Sequence, residues 1–307
     1  MDSIDARIFC EMAFQELSYR TFADRHVSPA EIGKKLGLDE KTVRVRVRKM
    51  EDTGFVKYYQ TVPNFALFGF RSISTHRFEA PNLSTKFAVV ENAHGVPGLI
   101  EALDYLGPFL LMEIAGKSTA DAEAVAKGVA NRYELDLKNL GSRAVKEPLL
   151  KLDRLDWQVI QELRYDAQSA IKEIASAVSA TPRMIGYRIT KLLDSGAMSI
   201  RPVIDAQKQE GLIFYELEVL IEETKHAFVS SSLRRKFGDR LWSMKNKSTS
   251  LMVASLFGFT LGDPENSVRE TIRIDGVRRC SLFVLKEVIE PKQSSWVDAL
   301  IEKSVSG

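Results

Sequence analysis

The densest group of chemically active side chains in this sequence is a cationic run between positions 41 and 49. Five of these nine residues are Lys or Arg, and none is acidic. The centre of the run, VRVRVR, alternates apolar and basic residues, which by itself is typical of a half-buried β-strand. Basic side chains at this density neutralise phosphates, so the run indicates contact with a polyanion wherever it is exposed.

The residues before the run predict a helix rather than a strand. Ser28, Pro29 and Glu31 form a helix start, with an N-cap, a first-turn proline and a capping-box acid. Gly37 is the expected end of that short helix, and Asp39 is a second N-cap just before the basic run. A short helix, a tight turn and a basic helix make a helix-turn-helix unit, with FVKYYQTV following as a wing strand.

Helical spacing separates the basic run into two faces. Val43, Val47 and Met50 share the side that is expected to pack on the core. The other side fits the major groove of DNA, where cations contact phosphates or guanine and a small apolar group contacts a thymine methyl. The candidate DNA-binding residues of this helix are Lys41, Thr42, Arg44, Val45, Arg48 and Lys49.

The chain contains a second copy of the same arrangement. SIDARIFCEM near the start resembles RLDWQVIQEL near the middle, at an offset of 151, and the basic helices follow at an offset of 142. The first copy therefore carries nine extra residues around QELSYRTFADRHV, which we expect to form a loop. Arg46 recurs as Arg188 at the edge of the core face, so a structural ion pair and a phosphate contact both stay open for it.

The second basic helix has a weaker cationic face. Thr181 and Pro182 predict its start, and Gly186 costs it roughly 1 kcal/mol of helix stability relative to alanine. It either contacts DNA or has a structural or protein-contacting role, and we expect the first copy to dominate DNA binding. The candidate DNA-binding residues of the second copy are Arg183, Tyr187, Thr190 and Lys191.

The pattern of strands and helices after each basic helix predicts a βαββαβ unit, the ferredoxin-like arrangement. The predicted fold class is α+β, with two winged helix-turn-helix domains that alternate with two ferredoxin-like (βαββαβ) domains. The expected domains are winged helix 1 at 1–63, ferredoxin-like domain 1 at 64–150, winged helix 2 at 151–205, ferredoxin-like domain 2 at 206–290 and a helical tail at 291–307.

Composition favours a cytoplasmic protein without a membrane span. The net charge of the 307 residues is +2, so any nucleic-acid footprint must be local. The cysteines, Cys10 and Cys280, lie far apart in sequence, as expected for a reducing compartment. The N-terminus lacks the pattern of a signal peptide, and the apolar runs are shorter than the roughly 18 residues that span a bilayer.

The sequence offers little evidence of catalysis. Its four histidines (His26, His76, His94 and His226) lack metal-ligand spacing, and no nucleophile motif is present. The half-match to a phosphate loop at Gly116-Lys117-Ser118 has Leu111 in place of the required glycine, so a helix cap is the better interpretation. These observations predict no cofactor, no metal and no enzymatic activity. The basic cluster around Arg234–Lys236 is either a solvated face or an auxiliary phosphate-contacting surface.

Both copies resemble the Lrp/AsnC (feast/famine) transcription regulators. The stretches that carry the resemblance are SPAEIGKKLGLDEKTVRVRVRKMEDTGFVKYY and IKEIASAVSATPRMIGYRITKLLDSGAM. The resemblance implies a regulator of double-stranded DNA that self-associates, as a homodimer or higher, through its ferredoxin-like domains and answers to a small-molecule effector, here unidentified. Members usually carry one copy per chain, so these two sheets pair either within one chain or between chains. At the family's Gly-x-aromatic-Asp turn, this chain has Gly107-Pro108-Phe109-Leu110.

An enzymatic alternative comes from a second resemblance. Siroheme decarboxylases resemble tandem Lrp/AsnC halves, and some are fused in one chain of similar length. Those enzymes carry an arginine-rich stretch after the wing and an Asn-x-Met motif. The corresponding segments here, YYQTVPNFALFGFRSIS and SIRPVIDAQKQEGLIFYEL, contain neither.

Overall fold

The structure is a computed structural model that describes residues 1–13, 28–205, 208, 211–289 and 295–306. The predicted loop QELSYRTFADRHV and the predicted surface residue His26 lie outside the described residues. The described parts confirm the predicted α+β class and the internal duplication.

In the residues that the structure describes, each half begins with three helices and a strand. The elements of the first half are α1 (Ser3–Ala13), α2 (Pro29–Leu36), α3 (Glu40–Asp52) and β1 (Val56–Pro63). Those of the second half are α6 (Arg154–Glu162), α7 (Ile171–Ala177), α8 (Pro182–Asp194) and β6 (Met198–Ile204). Apolar side chains of both halves share one core, in which Phe9, Val43, Trp157 and Ile189 are buried.

A βαββαβ unit follows each set of helices. The first comprises β2 (Ser72–Glu79), α4 (Leu83–Asn92), β3 (Leu99–Tyr105), β4 (Phe109–Gly116), α5 (Thr119–Tyr133) and β5 (Asp136–Ala144). The second comprises β7 (Ile213–Ile221), α9 (His226–Phe237), β8 (Leu241–Asn246), β9 (Leu251–Gly258), α10 (Gly262–Thr271) and β10 (Val277–Ile289), with α11 (Trp296–Ser306) after it. Strand β5 begins five residues before the predicted strand GSRAVKE, because its first half pairs fully with β2.

The predicted wing strands pair with each other. Strands β1 and β6 form an antiparallel ribbon in which Val56 lies opposite Ile204 and Pro63 lies opposite Met198. Because α3 precedes β1 and α8 precedes β6, the two basic helices join opposite ends of this ribbon. At 3.3 Å per residue, the ribbon separates them by about 25 Å along its length.

The two βαββαβ sheets combine into one sheet within the chain. The strand order is β5-β2-β4-β3-β10-β7-β9-β8, and β3 pairs with β10 at the centre. The sheet curls so that its two edge strands, β5 and β8, approach each other. A Cβ on Gly141 of β5 would lie only 2.8 Å from the carbonyl oxygen of Lys247, which follows β8. Pairing within one chain is therefore the arrangement that this structure adopts.

The enclosed face of the curled sheet combines apolar and charged side chains. Tyr105, Leu111, Leu140, Leu251 and Phe283 form its buried apolar cluster. Beside this cluster, Arg77 and Lys138 of the first half form ion pairs with Glu218 of the second half. The Tyr105 hydroxyl donates a hydrogen bond of 2.5 Å to Glu216. Polar contacts as well as apolar packing thus hold the two halves together.

Candidate nucleic-acid interface

Two caps position the helix-turn-helix of the first copy. The Ser28 hydroxyl accepts a hydrogen bond from the Glu31 backbone N–H, and Pro29 opens α2. The Asp39 carboxylate accepts a 2.8 Å hydrogen bond from the Thr42 backbone N–H at the start of α3. The predicted starts of both helices are therefore confirmed.

Two glycines allow the turn between α2 and α3. Gly37 has φ +68°, a left-handed conformation that favours glycine, and it ends α2 as predicted. Gly33 lies against the turn itself, because a Cβ there would approach the Leu38 carbonyl oxygen to 2.6 Å. A larger residue at position 33 would push α3 away from α2.

Helix α3 buries its apolar side and exposes its cationic side. Val43 and Met50 are buried, and Val47 packs against the same core. The outward side chain of Val45 is 60% exposed. The structure brings all of the candidate residues in this copy onto one outer face, with Thr42 half-buried at its edge and the others exposed: Lys41, Thr42, Arg44, Val45, Arg48 and Lys49.

Arg46 anchors α3 to the N-terminus of the chain. Its guanidinium donates hydrogen bonds to Asp2 and Asp5 at 2.7–2.8 Å, and the Asp5 side chain is buried. Partial burial disfavours ionisation of Asp2, but the hydrogen bonds and charge of Arg46 and the backbone N–H groups of Ile4 and Asp5 together outweigh it and lower the pKa of that carboxyl. Of the two roles left open for Arg46, the structural ion pair is the one observed.

The remaining four cations of α3 are exposed, and two of them have an acidic neighbour. Arg44 forms an exposed ion pair with Glu40 at 2.5 Å, and Lys49 lies 3.9 Å from Asp5. Within the described part of the chain, Lys41 and Arg48 have no acidic partner. Exposed pairs of this kind contribute about 0–1 kcal/mol and are readily exchanged for other partners. This face therefore presents four cations to an approaching polyanion.

Thr42 has a more specific contact than its sequence position suggests. Its hydroxyl donates a 2.5 Å hydrogen bond to the Asp39 carboxylate, so its methyl group is the part left for an apolar contact. The same hydrogen bond, followed by that from the Thr42 backbone N–H, lowers the pKa of Asp39. Asp39 therefore stays ionised and keeps the start of α3 capped in neutral solution.

The second basic helix repeats the anchor but not the cationic face. Arg188 donates hydrogen bonds of 2.6–2.8 Å to Asp153 and Asp156, as Arg46 does to its own pair. Tyr187 is 66% exposed and Arg183 is exposed beside it. Thr190 donates to the Gly186 carbonyl within the helix, and Lys191 is half-buried. This face is less charged and more aromatic than that of α3.

Three positioning residues escaped the sequence interpretation. Asp2 and Asp5 orient Arg46, and Gly33 sets the distance between α2 and α3. A signal for the aspartates existed, because the Asp-x-x-Asp spacing recurs at 153 and 156 together with the recurring arginine. Nothing in the local pattern marked Gly33, since the contact that requires it comes from the following turn.

The other candidate sites have structural explanations or remain open. Ser118 caps α5 by accepting a hydrogen bond from the Asp121 backbone N–H, as the helix-cap interpretation predicts. Arg234, Arg235 and Lys236 lie exposed on α9.

Among the described residues, no cluster of His, Cys, Asp and Glu is arranged to hold a metal ion. No helix in those same ranges is long and apolar enough to cross a bilayer.

Comparison with known proteins supports the helix-turn-helix and the tandem fold. Residues 22–57 match a family described as winged helix-turn-helix DNA-binding. The solved structure of the siroheme decarboxylase NirDL matches 99% of both chains at 13% identity and TM-score 0.55. A structure of NirDL with an iron-uroporphyrin III analogue matches 99% of both chains at 12% identity and TM-score 0.54. No curated protein sequence matches this chain.

A single-copy regulator structure matches over a smaller part of the chain. AsnC from E. coli corresponds to 45% of this chain and 94% of its own, at 13% identity and TM-score 0.38. The full-length correspondence to NirDL, rather than this partial one, decides the architecture. The chain has the tandem fold of NirDL and carries a winged helix-turn-helix in its first half. The resemblance stated from the sequence is confirmed at this level.

One prediction from the sequence is wrong. The absence of nucleophile and metal motifs led to the expectation that the chain is not an enzyme. The full-length matches contradict it, because this tandem fold is also that of an enzyme, a siroheme decarboxylase. The physical reason is that a motif search finds only chemistry performed by a few residues at fixed spacing, whereas a tandem fold assembles a site from distant segments.

Proposed function

We propose that this chain binds double-stranded DNA through α3 and acts as a sequence-specific transcription regulator of the Lrp/AsnC type. The observation that carries the proposal is that one arginine of α3 is held in a structural ion pair while the other two face outward. Arg46 forms ion pairs with Asp2 and Asp5, whereas Arg44 and Arg48 point outward beside Lys41 and Lys49. An anchored helix with exposed, at most weakly paired outward cations is preorganised to enter a major groove.

The asymmetry between the copies supports a dominant role for the first. In the second copy, Gly186 stands where the first has Arg44, and the outward Tyr187 adds an aromatic ring rather than a charge. The candidates Arg183, Thr190 and Lys191 complete a weaker secondary contact in this proposal. The β1–β6 ribbon joins both helices, so one chain supplies two DNA-contacting helices of unequal affinity. Self-association of chains extends the contact to further half-sites.

The first test removes the outward arginines of α3. We expect Arg44→Ala with Arg48→Ala to weaken binding to a short random-sequence duplex by about 100-fold or more. The slope of the logarithm of affinity against the logarithm of salt concentration should fall by about 2, because two phosphate contacts are lost. Fluorescence anisotropy between about 50 and 200 mM salt measures both quantities.

The matched control removes two exposed cations elsewhere. Lys117→Ala with Lys127→Ala changes the net charge equally but alters only the first βαββαβ unit. We expect this variant to bind as the wild type does, and Arg183→Ala with Lys191→Ala to show a smaller loss than the α3 variant. Wild-type affinity and salt slope in the α3 variant would overturn the proposal.

A second candidate function is decarboxylation of an iron tetrapyrrole. It is favoured by the full-length correspondence with NirDL, whose solved structures include a complex with an iron-uroporphyrin III analogue. Titration of the purified chain with siroheme separates the two functions. An absorption shift followed by a decarboxylated product in mass spectrometry supports the second candidate, and an unchanged spectrum removes it.

A further inference from the structure

A cleft of about 350 Å³ opens on the outer side of the second βαββαβ unit. Helix α9 forms one wall with Phe228, Ser232, Arg235 and Lys236, which share one helix face. The other wall is the segment Arg273–Asp275 between α10 and β10. The cleft is open to solvent on one side, so a ligand held there would stay partly exposed.

The charge of the cleft is strongly positive. Arg235, Lys236 and Arg273 are exposed, and none of them has an acidic partner among the described residues. The one acid of the lining, Asp275, is engaged by an ion pair with Lys225. That ion pair lowers the pKa of Asp275, which therefore stays ionised and directed to its own lysine. Three cations thus remain available for a ligand.

The cleft also offers an apolar surface. Phe228 is 51% exposed, and the buried Ile274 also lines the cleft. An exposed aromatic ring beside arginines is suited to a ligand that has both a flat or apolar body and an anionic group. A purely inorganic ion would leave the apolar part of this lining unused.

The first copy shows that the fold does not require these cations. Its corresponding helix, α4, carries one basic residue, Lys86, which is buried in an ion pair with Asp104 and directed away from solvent. The segment between α5 and β5 carries the acid Glu134 and no cation, whereas the segment between α10 and β10 carries Arg273. The positive cleft is therefore a property of one copy alone, and packing does not explain it.

We infer that the cleft between α9 and the Arg273–Asp275 segment binds a small organic anion with an apolar body and a phosphate or carboxylate group. In this assignment Arg235 and Arg273 hold the anionic group in charge-assisted hydrogen bonds. Phe228 packs against the apolar body. This site would serve as the effector site of the proposed regulator, although its occupancy does not depend on that function.

The test uses two anionic probes on the full chain. The aromatic sulfonate 8-anilinonaphthalene-1-sulfonate reports amphiphilic anions by fluorescence, and inorganic pyrophosphate reports the anionic subsite by calorimetry. We expect saturable binding of both probes to the wild type. Arg235→Ala with Arg273→Ala should weaken both by about tenfold or more, which is the loss of about 1.4 kcal/mol.

Two further variants make the result specific. Phe228→Ala should weaken the aromatic sulfonate and leave pyrophosphate unchanged, whereas Lys117→Ala with Lys127→Ala should leave both probes unchanged. Wild-type affinities in the Arg235/Arg273 variant would overturn the assignment. So would an Arg235/Arg273 variant that loses affinity for duplex DNA but not for the probes, because the cations would then be an auxiliary phosphate contact. The probe measurements do not depend on α3, so failure of the DNA proposal is distinguishable from failure of this assignment.

Discussion

At the residue scale, His76 on β2 is a buried polar side chain whose burial is not offset by hydrogen bonds among the described residues. It is 1% exposed, and both of its ring nitrogens lack hydrogen-bond partners among the described residues. Burial lowers the pKa of His76 below its usual 6.5, although the nearby charge of Glu123 opposes the shift. In the second copy the same strand position is Leu217, which needs no partner.

This burial makes folding stability depend on pH. Below pH 6.5 the unfolded chain takes up a proton at His76 while the folded chain does not, so acidification favours unfolding. We expect His76→Leu to raise the free energy of unfolding by about 1–3 kcal/mol at neutral pH. The variant should also lose less stability between pH 7.5 and 5.5, as measured by thermal unfolding at both values.

The second copy supplies the matched control for this prediction. Leu217→His places an imidazole at the corresponding buried position, so we expect it to lower stability and to steepen the loss on acidification. If the stability of the wild type and of His76→Leu depended on pH in the same way, another group would be responsible for the loss of stability at acidic pH.

At the element scale, α8 carries a residue that weakens it without an evident packing need. Gly186 lies in the middle of the helix, and a Cβ there would meet only the Ile171 side chain at 3.6 Å, an ordinary contact distance. We expect Gly186→Ala to raise the free energy of unfolding by about 0.5–1 kcal/mol, because alanine loses less backbone entropy. Denaturant unfolding measures the change.

A glycine at the end of the same helix gives the opposite expectation. Gly196 has φ +70°, which a side chain disfavours, so Gly196→Ala should destabilise the protein even though its Cβ would meet no neighbour within 4 Å. For the first of these two variants, Gly186→Ala, a loss of stability would contradict the prediction. It would mean that α8 requires the backbone flexibility of glycine at position 186 for a reason other than local geometry.

At the scale of the whole molecule, opposite charges join the two halves. Arg77 of β2 and Glu218 of β7 occupy corresponding positions in the two βαββαβ units, and they pair with each other across the enclosed face. Pairing of two identical halves would place like charges at this point. The charge difference therefore favours pairing of the first half with the second, as observed within this chain.

Reversal of these charges tests the pairing. We expect Arg77→Glu and Glu218→Arg each to lower the free energy of unfolding by about 3–5 kcal/mol, because each leaves a largely buried charge beside a like charge. The double reversal should recover more than half of the loss, and Lys138, which also pairs with Glu218, limits full recovery. Denaturant unfolding gives the coupling energy.

The control reverses an exposed pair. Arg269 and Glu265 pair on the surface of α10, and their reversal should change stability by less than about 0.5 kcal/mol. Additive effects of the two buried reversals would show that Arg77 and Glu218 do not act as a pair.

The sequence by itself determined the local elements and their duplication. Capping residues such as Ser28 and Asp39, together with the repeat of period 142, predicted the basic helices and both βαββαβ units. These signals are local, since a cap or a periodic apolar face depends on residues within a few turns. For the same reason the outward face of α3 was predictable before its surroundings were known.

Only the tertiary structure decided how distant residues meet. The pairing of β1 with β6, the closure of the sheet within one chain, the Arg46 anchor and the cleft at Arg235 and Arg273 all join segments far apart in sequence. Many chain foldings bring a given pair of charged side chains together, so composition and spacing do not select among them. Packing of the whole chain selects one, because the apolar faces can all be buried at once in few arrangements.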